Sequence, residues 1–273
     1  MIEAPPSIHP TAIVSDDAVL EAGVEVGPYC VIEGPVRLGE GVHLRPHVVL
    51  TGPITIGAGT SVGSFATLGA PPQDFKFGPD SPTAGVVIGK NCKIREYVSV
   101  HAATNAQSPT TLGDNVFMMA TSHVGHDCRV GNNVVIVNGA ALSGHCEVGD
   151  RANLSGHTGV HQFCRIGRLA MLSGGVSVGM DVPPFCIADE RNRLGRVNLI
   201  GLRRSGMDPN EIDAVRRAFR ELLRGSTSRE ELLGELRERG REAPALTEMA
   251  DFIEGSKRGI CPAGRAPRMS DPG

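Results

Sequence analysis

The stretch VGHDCRVGNNVVIVNGAALSGHCEVG, residues 124–149, places an aliphatic side chain at every sixth position: Val124, Val130, Ile136, Leu142 and Val148. The same period extends along the chain in both directions. The earlier run comprises Ile8, Val14, Leu20, Val26, Ile32, Leu38, Leu44, Leu50, Ile56, Val62 and Leu68. The later run extends from Ile88 to Val178 and fails once, at Ala106. A helix repeats its apolar residues every 3.6 positions and a half-buried strand at every second position, so neither explains this period.

A fixed period of six residues is typical of a parallel β-helix, in which each hexapeptide forms one short strand and one corner. Three hexapeptides form a triangular coil of 18 residues, and neighbouring coils stack about 4.8 Å apart. The aliphatic side chains point into this prism. The residue after each of them is often glycine, and we expect glycine or another permissive residue to make the turn, where positive φ costs little. We therefore predict a mainly β fold, a left-handed parallel β-helix followed by a small α-helical C-terminal domain. The left hand is that of hexapeptide-repeat proteins, an exception to the usual right-handed crossover.

The limits of the period divide the chain into four predicted segments. Residues 1–190 form the β-helix, with an excursion at 69–87 that shifts the register by two residues and a smaller loop at 102–111. A connector at 191–207 leads to a helical domain at 208–258. Residues 259–273 are rich in Pro, Gly and Arg and are expected to be disordered.

Capping patterns support the helical domain. Asp208 is a helix cap followed by Pro209 at the first helical position. Ser228 and Glu231 form the pattern of a capping box for a second helix. A third short helix is expected over residues 245–254.

Charge and cysteine content exclude several classes of protein. The formal net charge of −3 argues against a nucleic-acid-binding protein. However, 13 arginines lie between residues 191 and 241, and this local charge suits phosphate or an acidic protein partner. The chain has no apolar stretch of membrane-spanning length and no signal-peptide pattern at its start, so we expect a cytoplasmic protein. Cys128, Cys146 and Cys164 lie 18 residues apart in an inward slot, where thiols act as small apolar groups. This placement argues against a metal site or disulfides made by these cysteines.

Histidines cluster in the second half of the repeats: His123, His126, His145, His157 and His161. The 18-residue coil makes His126 and His145 neighbours on adjacent coils, and it stacks Asp127 on His145. These positions follow corners and point away from the aliphatic interior. An imidazole oriented by a carboxylate suits general-base catalysis, and three imidazoles suit a zinc site. Both chemistries stay open on this pattern, as does an ordinary surface role.

Several motifs together resemble one enzyme family. They are His123-Val124-Gly125-His126-Asp127-Cys128, Ser143-Gly144-His145, His161-Gln162-Phe163-Cys164, Asp181-Val182-Pro183-Pro184 and Gln73-Asp74-Phe75-Lys76. Over about residues 1–258 the chain resembles the acyl-(acyl-carrier-protein)–UDP-N-acetylglucosamine O-acyltransferases, which catalyse the first committed step of lipid A biosynthesis. These motifs are more specific than the six-residue period, which many acyltransferases share.

The resemblance implies that a 3-hydroxyacyl chain passes from acyl carrier protein to the 3-hydroxyl of UDP-N-acetylglucosamine. The sites would lie in clefts between the subunits of a homotrimer. The donor carries its own phosphopantetheine, so neither a further cofactor nor a metal is implied. His126 matches the family's general base and Asp127 the residue that orients it. His145 would lie beside the reacting centre, and the backbone N–H of Gly144 matches the oxyanion donor.

The resemblance also implies a set of binding residues. Those that match positions holding the sugar and diphosphate are Asp74, Lys76, His123, His161 and Gln162. Asn198 and Arg204 match residues that reach the uridine and phosphate from the neighbouring subunit. Gly174 matches the position that limits the acyl tail, where a glycine leaves the groove open to a long chain.

Two positions depart from the family pattern. Ile200 stands where the family commonly has a glutamate at the nucleotide end, and Ser205 replaces a second basic residue. Both changes weaken the nucleotide contacts that can be carried over. They leave room for a modified UDP-sugar, such as one with an amine at the 3-position.

Four other functions compete with this one. The N-acyltransferase that acts later in the same pathway normally has an additional N-terminal domain, whereas the period here starts at Ile8. A coenzyme A-dependent acetyltransferase would share the period but not the long-chain donor. A γ-type carbonic anhydrase-like enzyme would use His101, His126 or His145 as zinc ligands. A purely structural β-helix leaves the clustered histidines unexplained.

Overall fold

Three parallel sheets form the walls of a prism in the computed structural model, which describes residues 5–78, 80–225 and 227–264. Each hexapeptide contributes one short strand, and successive strands fall on successive sheets. The predicted parallel β-helix with C-terminal helices is confirmed.

Two interruptions divide the strands into groups along the chain. Before the excursion lie β1 (Ser7–Ile8), β2 (Ile13–Val14), β3 (Val19–Leu20), β4 (Glu25–Val26), β5 (Val31–Glu33), β6 (Val36–Leu38), β7 (His43–Leu44), β8 (Val49–Thr51), β9 (Ile54–Ile56), β10 (Ser61–Val62) and β11 (Thr67–Ala70). Between the excursion and the smaller loop lie β12 (Val86–Ile88), β13 (Lys93–Ile94) and β14 (Ser99–His101). After the loop come β15 (Thr110–Leu112), β16 (Phe117–Met118), β17 (His123–Val124), β18 (Arg129–Val130), β19 (Val135–Ile136), β20 (Ala141–Leu142), β21 (Glu147–Val148), β22 (Asn153–Leu154), β23 (Gly159–Val160), β24 (Arg165–Ile166), β25 (Met171–Leu172) and β26 (Ser177–Val178). A hairpin of β27 (Cys186–Glu190) and β28 (Arg193–Val197) ends the series.

Every third strand belongs to the same wall. Sheet A contains β1 and every third strand to β25, followed by the hairpin; sheet B runs from β2 to β26 and sheet C from β3 to β24. Val124 pairs with Leu142, 18 residues later. Across the excursion Val62 pairs with Ile94, which raises the separation to 32 residues. The smaller loop raises it to 24 residues. Both interruptions therefore leave the prism without breaking its walls.

The aliphatic period fills the interior. Leu142, Leu154 and Leu172 are fully buried, like most of the periodic residues from Val26 onward. Burying one such side chain contributes about 1.5–3 kcal/mol. A shift of one residue would turn each of these side chains out of the core, so burial fixes the register.

Glycine makes the turn at some corners, such as Gly23, Gly41 and Gly139, and other residues make it elsewhere. The glycine directly after many aliphatic residues has a different cause. Gly125 has no positive φ; instead, a Cβ there would lie 2.9 Å from the backbone nitrogen of Gly144 on the next coil. Glycine is needed because the neighbouring coil approaches too closely for a side chain. The positive φ falls three positions after the aliphatic residue, where Asp127 has φ 59° and His145 has φ 61°. Residues other than glycine seldom adopt this conformation, but Asn, Asp and His do so more readily than most.

The predicted connector at 191–207 contains regular structure. The antiparallel hairpin extends sheet A by pairing β27 with β25. Helix α1 (Leu199–Arg204) follows at once. The sequence missed both elements because neither shows the six-residue period or a long helical pattern.

Of the three further helices, the first two begin where the capping patterns indicated, and the third begins one residue before the expected position 245. Helix α2 (Pro209–Ala218) is capped by Asp208 and continues as a π-helical turn at Phe219–Leu223. Helix α3 (Arg229–Gly240) has the complete capping box, and α4 (Pro244–Glu254) completes the domain. Among the described residues, no helix has both the length and the apolar character needed to cross a bilayer.

Arginines on the last coils attach the helical domain to sheet C. Arg168 forms a two-pronged pair with Glu248 of α4, with its shortest N–O distance 2.7 Å. The guanidinium of Arg165 lies 4.3 Å from the ring centre of Phe252 and donates to its carbonyl oxygen. Both contacts fix α4 against the β-helix.

The chain after α4 returns to the prism. Ile260 pairs with Asp181, Ala263 pairs with Leu194, and Cys261 is buried. The expectation of a disordered tail was therefore wrong for residues 259–264, because Asp181 and Leu194 offer free backbone positions at the end of the sheets. Residues 265–273 lie outside the described part of the chain.

Candidate active site

The corner between sheets B and C carries the histidine cluster. His126 and Asp127 follow β17, and the positive φ of Asp127 turns its side chain back toward its neighbour. Nδ1 of His126 lies 2.7 Å from Oδ2 of Asp127, and both side chains are about nine-tenths buried. This contact defines an imidazole–carboxylate dyad.

Hydrogen bonds with three other residues hold Asp127. Thr104 donates to Oδ2 from its hydroxyl at 2.7 Å and from its backbone N–H at 3.1 Å. Asn105 donates its N–H to Oδ1, and the N–H of Asp127 donates to Oγ1 of Thr110. Partial burial favours the neutral carboxyl. The hydrogen bonds from His126 and Thr104 outweigh that effect and hold the pKa of Asp127 below its ordinary value.

Thr104, Asn105 and Thr110 were missed by the sequence reasoning. They belong to the smaller loop or to the strand after it. Their only sequence signal was the interruption itself, since loops without regular structure often carry function.

His145 occupies the same corner one coil further on. Its Nε2 lies 3.7 Å from Oδ2 of Asp127, and its ring meets that of His126 edge-on with centroids 5.0 Å apart. On its other face, Phe163 stacks at 4.5 Å. The predicted neighbourhood of His126, Asp127 and His145 is therefore present in the structure.

Gly144 lies directly against His126. A Cβ at residue 144 would be 2.6 Å from Nε2 of His126. Within the described residues the N–H of Gly144 donates to no other group of the chain. It is therefore available beside the ring nitrogen that does not face Asp127.

His123 and His101 form a second imidazole pair on sheet B. Their rings meet edge-on at 5.1 Å, and Nδ1 of His123 lies 2.8 Å from the hydroxyl of Ser99. Burial lowers the pKa of His123 to about 4, with smaller effects from His101 and His126. His123 is thus neutral near pH 7.

The other predicted binding residues are spread over three places. His161 and Gln162 are exposed at the next corner in the column of His126 and His145. Asp74 and Lys76 lie on the excursion, where Asp74 accepts the N–H of Lys76, and the Lys76 side chain is exposed. Gly174 is exposed, and the nearest atom to a Cβ built there is 3.7 Å away.

Asn198 and Arg204 lie at the two ends of α1. Asn198 is buried and caps this helix, with Oδ1 accepting from Gly201 and Nδ2 donating to the carbonyl of Leu169. Arg204 is exposed. In the described residues no hydrogen bond or ion pair joins either residue to the histidine corner.

One group of side chains in the described chain has the spacing of metal ligands. His126, Asp127 and His145 each offer an atom within 4.8 Å of the others. This group does not include His101, which the carbonic anhydrase-like alternative counted among its ligands. An imidazole–carboxylate hydrogen bond already accounts for the shortest distance in the group.

Two protein families match parts of the chain. Residues 181–261 match the family described as UDP N-acetylglucosamine O-acyltransferase, domain 2. Residues 17–52 and 109–144 match the family described as bacterial transferase hexapeptide (six repeats). The first match covers the terminal hairpin and helices, and the second covers the repeats.

Whole proteins are similar over nearly the full chain. The acyl-(acyl-carrier-protein)–UDP-N-acetylglucosamine O-acyltransferase of Burkholderia ambifaria strain MC40-6 is 46% identical over 259 residues, covering 93% of this chain and 98% of that protein. The UDP-N-acetylglucosamine acyltransferase structure of Francisella novicida superposes with a TM-score of 0.89 at 33% identity, over 96% of this chain and 95% of that one. The Campylobacter jejuni structure gives a TM-score of 0.87 at 35% identity, over 95% and 100% of the two chains.

Proposed function

This chain belongs to the acyl-(acyl-carrier-protein)–UDP-N-acetylglucosamine O-acyltransferases, and on that premise we propose that it transfers a 3-hydroxyacyl chain to the sugar 3-hydroxyl with His126 as general base. The observation that carries this proposal is the His126–Asp127 hydrogen bond at 2.7 Å. An Nδ1–H that donates to a carboxylate leaves Nε2 as the acceptor, which is the tautomer a general base needs.

In the proposed reaction, His126 first accepts a proton and then returns it. Nε2 of His126 takes the proton of the 3-hydroxyl as its oxygen bonds to the thioester carbonyl carbon. The carbonyl oxygen becomes an oxyanion, to which the N–H of Gly144 donates. The carbon–sulfur bond then breaks, and the departing phosphopantetheine thiolate takes the proton from His126. Asp127 stabilises the imidazolium between these two steps.

The binding residues divide into two groups in this proposal. Asp74, Lys76, His123, His161 and Gln162 hold the sugar and diphosphate. Arg204, which is exposed at the end of α1, is assigned to the nucleotide of a neighbouring subunit by the family resemblance. Asn198 already donates and accepts within its own chain, so its contribution to the uridine would come alongside its capping role.

We propose a homotrimer, which the family resemblance implies. It agrees with the lack of hydrogen bonds or ion pairs between the proposed nucleotide residues and the dyad in the described part of one chain. Large apolar side chains also stay half exposed along the prism, including Ile13, Tyr29 and Phe163. A neighbouring prism would cover such surface. The complete site in this proposal therefore lies in the cleft between two subunits.

The test of the general base is His126→Ala, with His9→Ala as a control on an exposed histidine far from the corner. Acyl transfer from 3-hydroxyacyl carrier protein to UDP-N-acetylglucosamine should fall about 10²- to 10⁴-fold in the first variant only. Near-normal turnover in His126→Ala would mean that another group is the base. Metal analysis of the purified protein, with turnover after chelation, tests the zinc alternative independently.

A 3-amino sugar is a second candidate acceptor. Ile200 is 65% exposed on α1, and the hydroxyl of Ser205 donates to the carbonyl of Leu202 in its own helix. Neither side chain offers the charge expected at the nucleotide end. Comparing kcat/KM for UDP-N-acetylglucosamine and its 3-amino analogue decides between the two acceptors.

The acyl donor, the product and the cellular compartment are also part of this proposal. The donor brings its own phosphopantetheine, so the chain needs no cofactor of its own. The product would enter lipid A biosynthesis. All seven cysteines are free thiols, as expected in a reducing compartment, and we propose that the enzyme works in the cytoplasm.

A further inference from the structure

Thr104 connects the smaller loop to the dyad. Its hydroxyl and its backbone N–H both donate to Oδ2 of Asp127, the oxygen that also faces His126. The backbone N–H of Asn105 donates to the other oxygen, Oδ1. The carboxylate is therefore held by the loop on one side and by the imidazole on the other.

The orientation of this carboxylate decides which imidazole it serves. Oδ2 is 2.7 Å from Nδ1 of His126 and 3.7 Å from Nε2 of His145. A rotation of the carboxyl group would exchange or lengthen these distances. The hydroxyl of Thr104, at 2.7 Å, opposes that rotation.

We propose, resting on the proposed function, that Thr104 is a positioning residue: its hydroxyl fixes the carboxylate of Asp127, which in turn holds His126 with Nε2 unprotonated and facing the acceptor. Thr104 itself touches neither substrate nor the reacting atoms. It acts only through Asp127.

Hydrogen bonds from the excursion hold the residues on either side of Thr104. Thr83 donates its hydroxyl to the carbonyl of Ala103 at 2.5 Å, and the N–H of Ala84 donates to the carbonyl of Asn105 at 2.9 Å. The residues on both sides of Thr104 are thus tied to the segment that carries Asp74 and Lys76. A loop held at both neighbours can present one hydroxyl at a fixed point.

A double-mutant cycle tests this role, because a residue that acts through another loses its effect when the other is removed. Thr104→Val removes the hydroxyl at nearly constant shape, and kcat should fall about 10- to 100-fold, the range for losing a hydrogen bond to a charged group. Thr104→Ser restores the hydroxyl and should stay within about twofold of the wild type. In the Asp127→Ala background, Thr104→Val should change turnover by less than about twofold. Thr55→Val, at an exposed threonine on β9, is the matched control.

Two outcomes overturn the proposal: full activity in Thr104→Val, or the same fold-loss with and without Asp127. Thermal unfolding of each variant detects a structural effect, and Thr104→Ala replaces the valine variant if the latter does not fold. Normal turnover in Asp127→Ala would instead refute the dyad, and with it the proposed mechanism. A large loss in Asp127→Ala beside a fully active Thr104→Val would refute the role of Thr104 alone.

Discussion

A methyl group on Gly144 would lie 2.5 Å from Cε1 of His126, because the imidazole folds over the backbone of the next coil. Real Cβ atoms do not approach other atoms so closely, so either the ring or the coil must shift. The ring is the softer of the two, since it is a side chain at a corner and the coil is fixed by the core.

Gly144→Ala should therefore disable catalysis without unfolding the protein. Displacing the imidazole by about 1 Å can cost about 10²-fold in rate, while the stability should change by less than about 1 kcal/mol. Steady-state kinetics with urea unfolding measures both. Gly234→Ala, on α3 with open space around its Cβ, should leave turnover unchanged. Equal activity of the two variants would mean that the position of His126 tolerates the shift.

The pKa of His123 predicts acid sensitivity of the fold. Burial lowers it to about 4, below the ordinary value of 6.5, so the unfolded chain binds the proton more readily between these pH values. Stability is therefore full above pH 6.5 and is lost as the pH falls toward 4. Between pH 7 and pH 5 this one residue should remove about 2 kcal/mol of unfolding free energy.

His123→Gln should show a smaller loss over the same interval, because glutamine does not titrate. Urea unfolding at the two pH values and one protein concentration measures the difference. His9→Gln serves as the exposed control. An identical loss in wild type and His123→Gln would assign the acid sensitivity to other groups.

The arginines of α2 should recognise the acyl donor. Arg216 and Arg217 are exposed and form no ion pair within the described residues, which leaves their charge for the acidic surface of acyl carrier protein. Replacing both with glutamate should raise KM for the acyl carrier protein substrate at least about tenfold through lost steering. KM for the UDP-sugar should not change.

Salt and an alternative donor provide the controls for this surface. Added salt should weaken use of the carrier-protein donor in the wild type, because the Debye length falls to about 10 Å at 0.1 M. Arg37→Glu, on sheet C far from α2, should behave like the wild type. Equal turnover with acyl-coenzyme A at matched concentration would show that the carrier protein is not recognised.

Gly174 should set the length of the acyl chain. It is exposed, and its nearest contact for a Cβ is the carbonyl of Gly156 at 3.7 Å, so a larger side chain has room to enter the groove. Gly174→Met should move the preference to a shorter chain. Excluding about four methylenes at ~0.8 kcal/mol each costs the long donor about 3 kcal/mol, more than a hundredfold in selectivity.

A panel of acyl carrier proteins with different chain lengths measures this preference. The shorter donor should still be turned over well by Gly174→Met. A uniform loss for all chain lengths, together with lower stability, would mean that the glycine serves only the corner.

The six-residue period was sufficient to predict the prism and the corner that carries the dyad. An aliphatic residue at every sixth position can be buried only if each hexapeptide turns the chain by one wall, so His126, Asp127 and His145 fall in one column. The pattern behind this inference is local, and its repetition along the chain supports the same register many times over. The sequence shows where glycine recurs after the aliphatic residues, while the reason for it, the close backbone of the next coil, depends on the folded structure.

What lies across from that column depends on contacts between segments that are far apart in the chain. Thr104 reaches Asp127 from 23 residues away, through a loop with no period of its own. The return of Ile260 to Asp181 and the capping of α1 by Asn198 are also set by partners distant in the chain. Such contacts depend on where an irregular segment packs, which is fixed by the few hydrogen bonds it can satisfy in the folded molecule and leaves no repeating pattern in the sequence.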